Sequence, residues 1–136
     1  MIECLFCNYK DDGKGVVIFD GEFCLCIEIV DKELMGGIVD GHLMIIPKRH
    51  CESLFEMTSA EWRETQELML QAKQYMDKKY KPDGYTVGWN VGAVGGSSVP
   101  HVHMHIFSRF KDEARAGQGL RRWVKKDNPH HFFTGA

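Results

Sequence analysis

The sequence predicts an α+β domain: short strands forming an antiparallel sheet, with one long helix packed on it. Short apolar or alternating runs are separated by turn residues and come in neighbouring pairs. One long stretch of helical periodicity lies between the third and fourth of them. The regular strand–helix alternation of a doubly wound sheet is missing. At 136 residues and 43% hydrophobic, the chain suffices for one domain with a real core. Residues 1–136 are read as a single domain, with 124–136 as a C-terminal tail.

Val16 to Asp20, a turn at Gly21-Glu22, and Phe23 to Val30 read as a two-stranded hairpin. Asp31 to Gly41 reads as a glycine-containing loop. His42 to Pro47 is apolar and bounded by Gly41 and Pro47, which fits a short buried strand. Thr58-Ser-Ala-Glu61 has the spacing of a capping box, in which hydroxyl and carboxylate satisfy free amides at a helix start. From there Trp62, Leu68, Met69, Ala72, Tyr75, Met76 and Tyr80 recur at helical spacing, as core rather than as a cofactor site. Lys81-Pro82-Asp83-Gly84 ends the helix, because proline disfavours helix before it and Asp-Gly favours a turn. Tyr85 to Asn90 and Val99 to Phe107 supply the last two strands.

Composition excludes several functions. A net charge of −2 and a pI near 6.4 leave no global basic field for nucleic acid. No apolar run approaches the ~20 residues needed to cross a bilayer. The N-terminus lacks a signal-peptide pattern, so the cytoplasm is the expected compartment. Five cysteines, an odd number, argue against a closed disulfide framework. Cys24, Cys26 and Cys51 read as small buried hydrophobes. Cys4-Leu-Phe-Cys7 has a spacing suited to metal or redox chemistry, or is simply a free cysteine pair.

The most informative segment is His101-Val102-His103-Met104-His105-Ile106-Phe107. In an extended chain successive side chains alternate, so three imidazoles share one face while Val102, Met104 and Ile106 share the other. The preceding loop, Gly92-Ala93-Val94-Gly95-Gly96-Ser97-Ser98, could turn backbone amides and hydroxyls toward an anion, or be only a flexible connection. Two chemistries compete for the row. Neighbouring imidazoles can chelate a metal. Alternatively His103 is a nucleophile toward phosphorus, with its second ring nitrogen protonated and held by an acceptor. Periodicity leaves both open.

These motifs, with Gly41-His42-Leu-Met-Ile-Ile-Pro47-Lys-Arg-His50, Asn90 and Arg109-Phe-Lys-Asp-Glu, resemble the histidine-triad (HIT) family of nucleotide hydrolases and transferases. The resemblance runs from about Cys4 to Trp123 and is nearest the Hint-like branch. It implies a five-stranded antiparallel sheet, one long helix, a short second helix and a homodimer. It implies that His103 attacks the α-phosphorus of a nucleoside phosphoramidate or dinucleoside polyphosphate. A nucleotidyl-histidine would form, and water would release a nucleoside monophosphate. His105 and His42 would line the phosphate site. Asn90 and Ser98, with Gly96 and Ser97 of the loop, would place substrate oxygens, and Glu28 (or Asp31) would accept the ribose hydroxyls. Cys4, Cys7, His50 and His101 match the ligands of a structural zinc, and no organic cofactor is implied. Trp123 would cap the partner's pocket or pack on its own subunit.

The chain departs from the family pattern in places. Ser97 stands where many members carry glutamine, Ser108 where proline is frequent, and the stretch from Glu28 to Gly41 is longer than usual. Histidine at 105, where transferases often carry glutamine, favours a hydrolase over a nucleotidyl transferase. The alternative from another class is a nucleotide-binding interaction module with incidental turnover.

Overall fold

A computed structural model describes residues 4–11, 13–31, 40–127 and 129 of the chain. Five six-residue strands form one sheet: β1 (Gly15–Asp20), β2 (Cys24–Ile29), β3 (His42–Pro47), β4 (Gly84–Trp89) and β5 (Met104–Arg109). Their order is β1-β2-β3-β5-β4, and every pairing is antiparallel. One long helix, α1 (Ser59–Lys79), and a short one, α2 (Leu120–Lys125), complete the α+β architecture. No helix among the described residues is long and apolar enough to cross a membrane.

The expected capping box starts α1. The Thr58 hydroxyl accepts the Glu61 amide at 3.1 Å, and the Glu61 carboxylate accepts the Thr58 amide at 2.8 Å. The buried stripe of the helix is Glu61, Thr65, Leu68, Ala72 and Met76. It therefore begins on two polar residues instead of on Trp62, which is 40% exposed beside Trp89. Burial of Glu61 is tolerated because Arg49 binds both its oxygens, at 3.1 and 2.9 Å. Further along, the Glu64 carboxylate accepts the backbone amides of Glu22, Phe23 and Cys24. That contact ties the helix to the β1–β2 turn.

Strand alternation divides the core. Cys24, Cys26, Leu43, Ile45, Met104 and Ile106 pack under Leu68, Ala72 and Met76 of the helix. Leu25, Ile27, Met44 and Ile46 point to the opposite face, where Phe6 of the N-terminal segment covers them. Cys24, Cys26 and Cys51 are all buried and unbridged, as their reading as small hydrophobes requires.

The last strand begins five residues later than the expected Val99. Pro100 has no amide to donate. The His101 amide turns back to the Val99 carbonyl at 2.8 Å, and the Val102 amide goes to Cys51 at 2.8 Å. Regular pairing starts only at Met104, opposite Ile45 and Trp89. His101 and His103 therefore lie in an extended lead-in, and only His105 is on the strand. Residues 32–39 of the expected Asp31–Gly41 loop lie outside the described residues. At the other end α2 includes Val124 and Lys125, so helix extends past the position where a tail is expected to start. Of the residues beyond 127 only 129 is described.

Candidate functional site

Alternation survives the late strand start, so the three imidazoles still share the face away from α1. Val102 packs with Cys51 and Met57, while Met104 and Ile106 enter the helix-side core. His101, His103 and His105 are each at most 8% exposed. His42 joins them from β3. It stands directly across from Phe107, their rings stacked at 4.2 Å, while its neighbour Met44 pairs with His105.

Each ring is held differently. The Nδ1–H of His103 donates to the His101 carbonyl at 2.8 Å. A carbonyl can only accept, so the lone pair of a neutral His103 ring sits on Nε2. That is the arrangement a nitrogen nucleophile needs. His42 Nε2 and His105 Nδ1 share a hydrogen bond at 2.9 Å, one donating and the other accepting. Burial, reinforced by the neighbouring imidazoles, pushes His42 down to about 3 and His105 down to about 4. Both are neutral at pH 7, so the phosphate-site candidates are dipoles and proton carriers, not fixed cations.

His101 belongs to another cluster. Its Nε2–H donates to the Pro47 carbonyl at 2.7 Å, which leaves the Nδ1 lone pair as the one that could ligate a metal. That nitrogen lies 3.4 Å from Cys4 Sγ and 3.6 Å from Cys7 Sγ, and His50 Nδ1 lies 3.3 Å from Cys7 Sγ. The four ligand atoms of Cys4, Cys7, His50 and His101 all fall within 4.8 Å of one another. In a tetrahedral site with ordinary metal–sulfur and metal–nitrogen bonds, the S···N edge is about 3.6 Å. Donor types and spacing both fit a metal ion. The whole-row chelate is not formed, because only His101 of the three contributes to this cluster.

The glycine–serine loop is more self-contained than expected. The Gly96 amide bonds Ala93 O and the Ser97 amide bonds Gly92 O, each at 3.0 Å, while the Ser97 hydroxyl donates to Val99 O at 3.0 Å. Those donors serve the turn itself. A side chain at Gly95 would place its Cβ 2.2 Å from the Val91 carbonyl oxygen, so only glycine fits there. Asn90 follows Trp89, whose register partner is Met104, and its amide group lies against Gly96. Ser98 is exposed at the end of the loop.

Glu28 is displaced from its expected role. It faces α1, where Tyr75 and Tyr80 donate to its two oxygens and Lys79 approaches at 3.0 Å. Hydrogen bonds from the tyrosines and Lys79 hold its carboxyl below the usual range despite burial. A carboxylate on the helix side of the sheet cannot meet a ribose on the histidine side. Its position in β2 already carried that signal, since Glu28 has the same parity as Cys24 and Cys26.

Arg109 also does more than end the last strand. It donates to Glu113 at 2.7 Å, to Thr86 at 2.8 Å, and to the carbonyls of Arg115 and Gln118 at 2.8 and 2.9 Å. This clamp returns the chain along β4, where a Cβ on Gly88, the partner of His105, would meet Leu120 at 3.6 Å. Trp123 is 72% exposed, with the Arg115 guanidinium 5.6 Å from its ring centre.

Comparison with known proteins gives a consistent result. The HIT domain family model matches residues 21–112. An uncharacterised HIT-like protein of Mycoplasma genitalium is 34% identical over 128 residues, covering 92% of this chain and 83% of that protein. The adenosine 5'-monophosphoramidase of Schizosaccharomyces pombe is 25% identical, covering 87% and 83%. The asymmetrical bis(5'-nucleosyl)-tetraphosphatase of the same yeast is 31% identical, but the match spans 54% of this chain and only 41% of that enzyme. A HIT-family crystal structure from Bacillus subtilis superposes with a TM-score of 0.61 at 26% identity, covering 72% of this chain and 66% of that one. By family model, by sequence and by fold, the chain belongs to the HIT domain family.

Proposed function

We propose that the protein is a nucleotide hydrolase that cleaves at the α-phosphorus through a covalent intermediate on His103. One observation carries the reading: the His103 Nδ1–H is committed to the His101 carbonyl, which leaves Nε2 as the nucleophile. In the first step Nε2 forms a bond to phosphorus. The bond to the leaving amine or phosphate breaks, and the leaving group departs with a proton. In the second step water attacks phosphorus and the Nε2–P bond breaks, releasing a nucleoside monophosphate, and the proton that water gives up replaces, through His105, the one the leaving group took. His105, neutral and held through Nδ1 by His42, serves as proton carrier beside phosphorus. Asn90 and Ser98 are assigned to substrate oxygens, while the Gly96 amide stays with Ala93 O in the turn. Ser97 contributes by shaping the turn, and Glu28 is left out.

The names of the phosphoramidase and tetraphosphatase relatives support nucleoside phosphoramidates and dinucleoside polyphosphates as the substrate class. We assign zinc to Cys4, Cys7, His50 and His101. A closed four-ligand set has no open position for water, so the ion would supply structure there and no Lewis acid to the reaction. The homodimer, the cytoplasmic location and a cap by the partner's Trp123 enter this proposal on family resemblance.

The test is release of monophosphate from an adenosine phosphoramidate by wild type and by His103→Ala, with and without inorganic phosphate. Turnover by wild type alone, unchanged by phosphate, supports the hydrolase. Formation of a nucleoside diphosphate with phosphate present would make the protein a transferase. Nucleotide binding without turnover would make it an interaction module.

A further inference from the structure

We infer that Phe6 is a positioning residue for His103, and that through it the Cys4–Cys7 segment controls the orientation of the nucleophile. This inference rests on His103 being the nucleophile. Phe6 lies between the two cysteines in sequence and is 6% exposed. Its ring meets His103 edge-on at 5.2 Å and 65°, and His101 at 5.9 Å and 89°. It also seals the apolar patch of Leu25, Ile27, Met44 and Ile46 on the histidine side of the sheet.

His103 is thereby restrained on three sides. The His101 carbonyl holds Nδ1, the His105 ring stands edge-on at 4.9 Å, and Phe6 closes the third side. The first and third restraints come from residues tied to the ligand cluster. His101 supplies Nδ1 to it, and Phe6 is flanked by Cys4 and Cys7. A short apolar linkage makes the connection, and edge-to-face packing gives it direction as well as bulk. Truncation of Phe6 would let the imidazole rotate about its Cα–Cβ and Cβ–Cγ bonds. Loss of alignment on the ångström scale costs on the order of 100-fold in rate.

The test uses the full chain loaded with zinc. Wild type, Phe6→Leu and Phe6→Ala are compared for bound zinc, for the 15N imidazole NMR spectrum, and for kcat and KM on an adenosine phosphoramidate. Phe6→Ala is expected to keep its zinc and its far-UV circular dichroism. It should lose the sharp, exchange-protected Nδ1–H resonance of His103, and kcat should fall about 10- to 100-fold with KM changed less than threefold. Phe6→Leu, which restores bulk but not the ring edge, should fall between. If either variant retains zinc, the protected Nδ1–H and wild-type kcat, the inference is overturned. If Phe6→Ala fails to fold, Phe6→Leu decides alone by the same criteria. The resonance is read without substrate, so it judges the role of Phe6 even if wild type proves inactive, which would refute the catalytic reading instead.

Discussion

Acid should destabilise this fold well before its carboxylates protonate, through His42 and His105. His42, half-buried, and His105, buried, pack against one another, with folded values of about 3 and about 4 against 6.5 for the free imidazole. A depressed folded value means that the unfolded chain binds the proton more readily. Their contribution to stability is therefore fully present above pH 6.5 and is lost as pH falls toward the folded values. At pH 5, about 1.5 pH units below 6.5, each is still neutral in the fold and mostly charged in the unfolded chain. At 1.36 kcal/mol per pH unit, each then loses about 2 kcal/mol, and the pair about 4 kcal/mol. Glu28, Glu61 and Glu113, held below 4.5 in the fold, still contribute their stability at pH 5 and lose it only as pH falls below 4.5. Urea denaturation at pH 7.5 and pH 5.0 measures the loss. In His42→Gln one titrating group is gone while an amide remains near His105 Nδ1, so the loss should shrink by about 2 kcal/mol. The difference between the two proteins cancels every group they share, the cysteine–histidine cluster included. Equal losses in wild type and His42→Gln would mean that His42 is not a source of the acid sensitivity.

Other outcomes follow from single contacts. Glu28→Ala should lower stability by about 2 kcal/mol, because two tyrosine hydroxyls and Lys79 lose their acceptor while the half-exposed lysine regains water. The KM for a nucleotide substrate should not move, and a tenfold rise would return Glu28 to the ribose. Met76→Ala, at a position with no exposure under the sheet, should cost about 3 kcal/mol by urea denaturation with kcat unchanged. A cost below about 1 kcal/mol would mean that the α1–sheet core is looser than its packing indicates. Cys4→Ser/Cys7→Ser should reduce bound metal from one ion per chain to none by elemental analysis and lower Tm. Full metal retention would move the site elsewhere.

Much of this was legible in the residues, because the strongest signals are local. The capping box at Thr58–Glu61, the alternation from His101 to Phe107 and the Cys4–Cys7 spacing each express a periodicity that the fold preserves. What escaped depends on tertiary contacts. Glu28 looked like a substrate acceptor until its partners Tyr75, Lys79 and Tyr80, about fifty residues away, placed it under the helix. Trp62 fitted the helical stripe, but an Arg49–Glu61 pair took the buried position beside it. The late start of β5 follows from Pro100 and from an amide bond to Cys51, which no strand propensity encodes. Phe6 carries no motif of its own. Its burial depends on a sheet face assembled from strands far along the chain.

Covalent nucleotidylation of His103 is the central step of the proposed reaction. Intact-protein mass spectrometry after a rapid quench with an adenosine phosphoramidate, at a pH that preserves the phosphorus–nitrogen bond, tests this directly. Wild type should gain the mass of one adenylyl group, peptide mapping should place it on His103, and His103→Ala should gain nothing. An adduct on another residue, or turnover by wild type with no adduct at any quench time, would contradict the central claim.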